Sequence, residues 1–297
     1  MDRLLDPKVH WAFKQVFGQE KNKEILISFL NDIIDDDVLH GDLITNVTFL
    51  KVELDTEIIV LRQSIVDVLC KTQDGTHFIV EMQKASDSGF IQRALEYASH
   101  VYLSQRTKDK KTKNDRVGYK KMRPVIFLAI MEETLFPKKE AYLSHHQIRD
   151  ILTGEHDIKQ MSFSFLELSK FHKKFEELET NIEKWAYYFK HAAHIEPERL
   201  EKILQEKTIL GEAYKVLERS AYSPEQLLEY DRYALKEEEI QTRIEDAEKK
   251  IREEALAEKK ESAKKMLIDG LSSEVVSRYT GLSIEEVEKL RDSLPLR

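Results

Sequence analysis

The chain has 297 residues, 41% hydrophobic and 34% charged, with a formal net charge of −8. Glycine (9), proline (6) and cysteine (1) are scarce, which excludes a collagen-like chain, Pro-rich linkers, a turn-dense β-sandwich and a disulfide framework. The hydrophobic share supports a packed core in about two domains, and the negative charge means that a nucleic-acid partner needs a local basic patch.

The N-terminal segment has no apolar leader before a small-residue cleavage site, and no run approaches the roughly 18 apolar residues of a membrane span. With Cys70 as the lone cysteine, the expected location is cytoplasmic, with no membrane association. Residues 7–40 read as helical: Val9, Phe13, Val16 and Phe17 keep helical spacing, Gly18 interrupts, and Ile25, Leu26, Phe29, Leu30, Ile33 and Ile34 continue it. Asp35, Asp36 and Asp37 then break the pattern.

The period next changes to two. Val47–Leu54, Ser64–Lys71 and His77–Gln83 read as strands. The last two flank Asp74-Gly75, a strong hairpin signal. Phe90–Gln105 returns to helical spacing through Ala94, Leu95, Tyr97, Ala98 and Tyr102. Residues 106–123 form a basic segment, nine Lys or Arg against Asp109 and Asp115. Residues 124–130 are continuously apolar, as in a strand buried on both faces, and Phe163–Leu168 suggests another strand.

From Leu178 onward the pattern is helical. Asn181–His194 carries Trp185, Tyr188 and Phe189 on one stripe, Pro197 suits a helix start, and Glu225–Asp269 reads as one long charged helix. Its Ile240, Ile244, Ala247 and Ile251 fit a short coiled-coil seam or a bare linker helix equally. Ser273–Tyr279, a turn at Gly281, and a capping box at Ser283–Glu286 outline a helix-turn-helix. The expected divisions are 1–175, 176–222, 223–269 and 270–297.

Two residues stand out chemically. Asp67 interrupts the apolar run I-V-D-V-L-C, and Glu81 interrupts I-V-E-M-Q, with Gln83 on the same strand face. Each carboxylate lies about seven residues from the Asp-Gly turn, so a hairpin makes them near cross-strand partners. Like charges side by side repel. A hard divalent cation such as Mg²⁺, or Mn²⁺ or Ca²⁺, relieves the conflict and can activate water against a phosphoryl group. The alternative is two polar positions on a solvated face.

The runs D-V-L-C-K-T-Q-D-G-T-H-F-I-V-E-M-Q (67–83), D-P-K-V-H-W-A-F-K-Q-V-F-G (6–18) and P-V-I-F-L-A-I (124–130) resemble the recombination-promoting nuclease and transposase family of the PD-(D/E)XK nuclease superfamily. The resemblance covers roughly residues 5–190 and extends into the helical C-terminus. It implies an α+β, restriction-endonuclease-like core with a mixed central sheet, followed by an all-helical region. It also implies metal-dependent cleavage of DNA, with Asp67 and Glu81 as metal ligands and Gln83 in place of the superfamily's usual lysine. His10 stands where members of the family typically carry an aspartate, and Lys14 matches the family one turn later.

On the same reading Arg93 and Tyr97, one turn apart, face the substrate; core packing for Tyr97 and a solvated stem for Arg93 are the alternative. Lys108, Lys110, Lys111, Lys113 and Arg116 of the basic segment, which joins two elements expected to flank the site, are the candidate phosphate contacts. The terminal helix S-I-E-E-V-E-K-L-R is acidic where a recognition helix offers donors, so it favours a partner or subunit contact over DNA. Three functions follow: an active endonuclease linked to recombination or mobile elements, a DNA-binding relic impaired at His10, and a helical interaction protein that forms homo-oligomers. No G-x-S-x-G, paired cysteines or G-x-x-x-x-G-K occurs. His145 and His146 are adjacent, which gives no shared ligand face on a helix.

Overall fold

The strand β4 (Val125–Met131) is buried at every position, as a continuously apolar run must be when helices cover both sheet faces. The computed structural model describes residues 3–34, 38, 43–50, 66–84, 88–106 and 118–293. Within them, six strands form one mixed sheet: β1 (Val47–Phe49), β2 (Val68–Thr72), β3 (His77–Gln83), β4, β5 (Leu143–Ile148) and β6 (Ile158–Glu167). Their spatial order is β1-β2-β3-β4-β6-β5. The β1–β2, β2–β3 and β5–β6 pairs are antiparallel; β4 runs parallel to both β3 and β6.

The β2–β3 connection is the predicted hairpin. Gly75 has φ +92°, a conformation that favours glycine, and its N–H donates to Thr72 O at 3.0 Å. The Asp74 carboxylate accepts hydrogen bonds from the Thr72 and Thr76 hydroxyls.

One sheet face carries α1 (His10–Phe17), α2 (Lys23–Ile33), α4 (Asn181–His191), α5 (Pro197–Gln205) and α6 (Ile209–Val216). Their Phe13, Phe17, Phe29, Trp185, Tyr188 and Tyr214 pack over Cys70, Phe78, Val80 and Met82. The other face carries α3 (Phe90–Ser104), whose Phe90, Ala94, Ala98 and Val101 pack over Leu69, Ile79, Phe127 and Ala129. Small alanines at i and i+4 let α3 lie close against the strands.

The predicted helical stretch from residue 7 divides at Gly18, where α1 ends, and α2 ends before Ile34. The aspartates 35–37 lie outside the described residues. Two strands are shorter than expected. β1 stops at Phe49, with residues 51–54 outside the described ones, and β2 begins at Val68, so Asp67 occupies a bend before it. β5 has no counterpart in the sequence reading, whereas α6 falls within the stretch read as helical from Leu178 onward.

The long helix α7 runs Pro224–Ile268. The chain divides into two units, residues 1–238 and 239–297. The first therefore includes the beginning of α7, where Tyr230 is buried and Leu227 and Ala234 pack on the main core. In the second, the end of α7 with α8 (Ser273–Thr280) and α9 (Ile284–Asp292) encloses a small core of Ala263, Val276, Leu282 and Val287. Gly281, at φ +70°, ends α8, and Ser283 with Glu286 forms the predicted capping box on α9. Among the described residues no helix is long and apolar enough to cross a membrane.

Candidate active site

The hairpin register sets Val68 opposite Val80 and Lys71 opposite His77. One further step puts Asp67 opposite Glu81. Asp67 is 7% exposed, and its Oδ2 accepts the Met82 N–H at 2.8 Å. Its Oδ1 meets His10 Nδ1. Glu81 is half-buried and shares a side-chain hydrogen bond with Asp67. Burial, and then the Asp67 charge, push the Glu81 carboxyl well above the usual carboxylate range; the charges of Arg93 and Lys14 pull it back.

Helix α1 brings His10 and Lys14 to this pair on one edge, while its Phe13, Val16 and Phe17 enter the core. Helix α3 brings Arg93, whose guanidinium donates to Gln83 Oε1 at 2.7 Å and lies 5.0 Å from the Phe90 ring centre. Gln83 shares the Glu81 face of β3 because strand side chains alternate. Tyr97, one turn after Arg93, is half-buried and packs against the α3-side core.

One contributor escapes the sequence reading. Glu237, in the charged run that opens α7, is half-buried against α1, and its Oε1 accepts the His10 N–H at 2.9 Å. Its Oε2 lies 3.6 Å from Lys84 Nζ. Burial raises the Glu237 carboxyl, opposed by the His10 amide and the Lys84 charge. Val9 supplies no side-chain cap to α1, and the first turn has no acidic residue. Glu237 thus caps α1 from 227 residues away. Tyr233 stacks on His10 at 5.8 Å between ring centres, and the Tyr230 hydroxyl accepts the Asp6 N–H at 3.1 Å. The readable signal is the stripe Tyr230, Tyr233 and Glu237, at helical spacing in the first turns of an otherwise solvent-charged helix. Glu237→Ala is expected to destabilise the first unit by about 1 kcal/mol, as loss of a helix cap does, whereas Glu237→Gln keeps the acceptor and most of the stability. Thermal melts of the two variants check this.

Residues 107–117, which carry most of the basic segment, lie outside the described residues. Lys108, Lys110, Lys111, Lys113 and Arg116 are among them, but the residues that bracket the segment are at the hairpin-turn end of the sheet. Gln105 Nε2 donates to Arg123 O at 2.9 Å, and Arg123 N donates to Gln105 Oε1 at 2.8 Å. Arg123 lies against Gly75, and the His77 N–H donates to Pro124 O at 2.9 Å. Helix α3 starts at Gln83's end of the sheet and runs toward the hairpin turn, which brings Gln105 beside Arg123 there.

Among the described residues no three His, Cys, Asp or Glu converge as a metal cage. What converges is the Asp67–Glu81 pair. That donor set suits Mg²⁺, which keeps several waters and takes one or two protein carboxylates plus substrate phosphate oxygens. His145 and His146 lie on β5, paired with Ser164 and Phe163 of β6, and alternate faces there.

Comparison with known proteins supplies the family. Neither the curated proteins nor the solved structures give a match. The family model for PD-(D/E)XK nuclease family transposases matches residues 7–247. That stretch spans the whole sheet, both helical layers and the beginning of α7, so the chain belongs to the PD-(D/E)XK nuclease family transposases.

Proposed function

We propose that this chain is a divalent-metal-dependent DNA endonuclease, using Mg²⁺ or a cation such as Mn²⁺ or Ca²⁺, that acts in recombination or on mobile elements. The single observation that carries the reading is the Asp67–Glu81 pair, two carboxyls held so close that burial and mutual repulsion favour a retained proton. Asp67 and Glu81 would hold a cation in place of that proton, and such a cation would supply water activation and charge compensation at the phosphate. Asp67 and Glu81 are the proposed ligands.

In the hydrolysis, a water oxygen forms a bond to phosphorus and gives up a proton to solvent, one P–O ester bond breaks, and the departing oxygen takes up a proton from solvent. Gln83, oriented by Arg93, positions water but cannot remove its proton at neutral pH, because an amide is not a base there. Lys14 and Arg93 place positive charge beside Glu81 and stabilise the charge developing on phosphate. Arg93 and Tyr97 on α3, with the cations of segment 106–123, are the proposed DNA contacts.

Supercoiled plasmid tests the reading. Nicking that requires added Mg²⁺ or Mn²⁺, stops with chelator and is lost in Asp67→Ala supports it. Cutting that survives chelation or that substitution overturns it. A second reading, DNA binding without cutting, is favoured by one contact: the His10 imidazole seated on Asp67 Oδ1. It predicts salt-sensitive DNA retention with no nicking in any of these metals.

A further inference from the structure

We infer that the hairpin-turn end of the sheet is a second duplex-DNA contact, separate from the carboxylate pair. Glu81 and the Gly75 turn are six residues apart along β3 and its approach, about 20 Å at the usual strand rise. At this far end an arginine and a tyrosine form one unit. The Arg106 guanidinium lies 4.0 Å from the Tyr119 ring centre, and its NH1 donates to the Tyr119 hydroxyl at 2.7 Å. Tyr119 is nonetheless 73% exposed. An aromatic ring that backs a cation while remaining open to solvent is a pre-ordered phosphate-and-base contact, with little side-chain freedom left to lose.

Lys120, Lys121 and Arg123 follow within four residues, all exposed, while Met122 between them is buried. The buried Met122 and the reciprocal Gln105–Arg123 hydrogen bonds fix the backbone that presents these cations. Lys71 is exposed on the neighbouring strand, opposite His77. The nearby acid of the turn, Asp74, is engaged by the Thr72 and Thr76 hydroxyls. This cationic end stands out in a chain of net charge −8, and local positive charge is what recruits a polyanion when the overall field does not.

The inference rests on DNA being the substrate, and it adds where the DNA is held. At about 3.4 Å per base pair, a 20 Å separation is roughly six base pairs. The cationic end therefore grips DNA at least that far from the phosphate at the carboxylates, which sets a minimum useful substrate length.

The test is binding without metal, which reads the anchor independently of cutting. Fluorescence anisotropy with a 30-base-pair duplex in chelator, across a salt series, compares the wild-type chain with Lys120→Glu/Lys121→Glu/Arg123→Glu. The expected loss is tenfold or more in affinity, with the slope of log affinity against log salt reduced by about 2 to 3, near one per lost phosphate contact. The charge-preserving Lys120→Arg/Lys121→Arg/Arg123→Lys chain is expected to bind as wild type, and thermal melts of both report folding. Unchanged affinity and salt slope in the charge-reversed chain overturn the inference. So does an equal loss in the charge-preserving chain, which would assign the effect to shape. Failed plasmid nicking alongside the expected binding loss would remove the hydrolytic reading and leave the anchor standing.

Discussion

Glu81→Gln is expected to abolish metal-dependent nicking and, at the same time, to stabilise the metal-free chain at neutral pH. Glu81 sits opposite Asp67 with its carboxyl pushed well above the ordinary value of 4.5 by burial and by the Asp67 charge. Below that ordinary value the folded and unfolded chains both keep the proton, and the pair causes no penalty. As pH rises from there, the unfolded chain releases its proton first. The folded chain then loses stability progressively until pH passes the raised value, because it binds more protons than the unfolded chain over that window. A glutamine keeps the hydrogen bond to Asp67 and never ionises, so the loss disappears.

The expected gain is on the order of 1 kcal/mol or more, which raises the melting temperature by roughly 2–4 °C per kcal/mol for a unit of this size. The wild-type chain should recover the same stability from the cation, since a ligand at a hundred times its dissociation constant adds about 2.7 kcal/mol. Glu81→Gln should show little of that rise. Melting curves between pH 5 and 8, with and without Mg²⁺, make the check. A glutamine variant less stable than wild type at every pH would mean that the carboxyls do not repel one another, and the proposed site would lose its physical basis.

The parts of this arrangement differ in how far the sequence exposes them. β3 is legible to the residue, because H-F-I-V-E-M-Q alternates faces and is bounded by a glycine turn. β4 is legible for the opposite reason, being apolar throughout. β5 is not: L-S-H-H-Q-I is an edge strand, paired on one side only and half-buried along most of its length, so neither alternation nor an apolar run marks it. The carboxylate pair is readable because a hairpin makes contacts local. Glu237 is not, since its partner is 227 residues earlier and a glutamate in a K-E-E-E run looks like ordinary solvated charge. Arg123 shows the limit from the other side: its charge is plain in the sequence, but its place beside the hairpin turn depends on the length and direction of α3.

His10→Asp is the substitution expected to change the catalytic power of the site most in the favourable direction. The imidazole bears on Asp67 Oδ1, fixed from behind by the Glu237 cap on its backbone and by the Tyr233 ring. This arrangement holds Asp67 and covers the oxygen that a cation would need. An aspartate at position 10 removes the stack and the imidazole contact, and adds a third carboxyl beside Asp67 and Glu81. One effect opposes the loss: an acid in the first turn of α1 gains about 0.3–1 kcal/mol from the helix dipole. Repulsion among partly buried carboxylates outweighs that gain, at about 1–3 kcal/mol, so the metal-free variant should melt lower than wild type. With Mg²⁺ the order should reverse. Three carboxylates around one cation bind it at least tenfold more tightly, the melting temperature should rise further on metal addition, and nicking should rise tenfold or more. The comparison is made on one plasmid preparation over a Mg²⁺ titration, with melts at each concentration. Lost nicking in a folded His10→Asp chain that still binds metal would assign the imidazole a working role in the reaction, because an obstruction cannot be missed when it is removed.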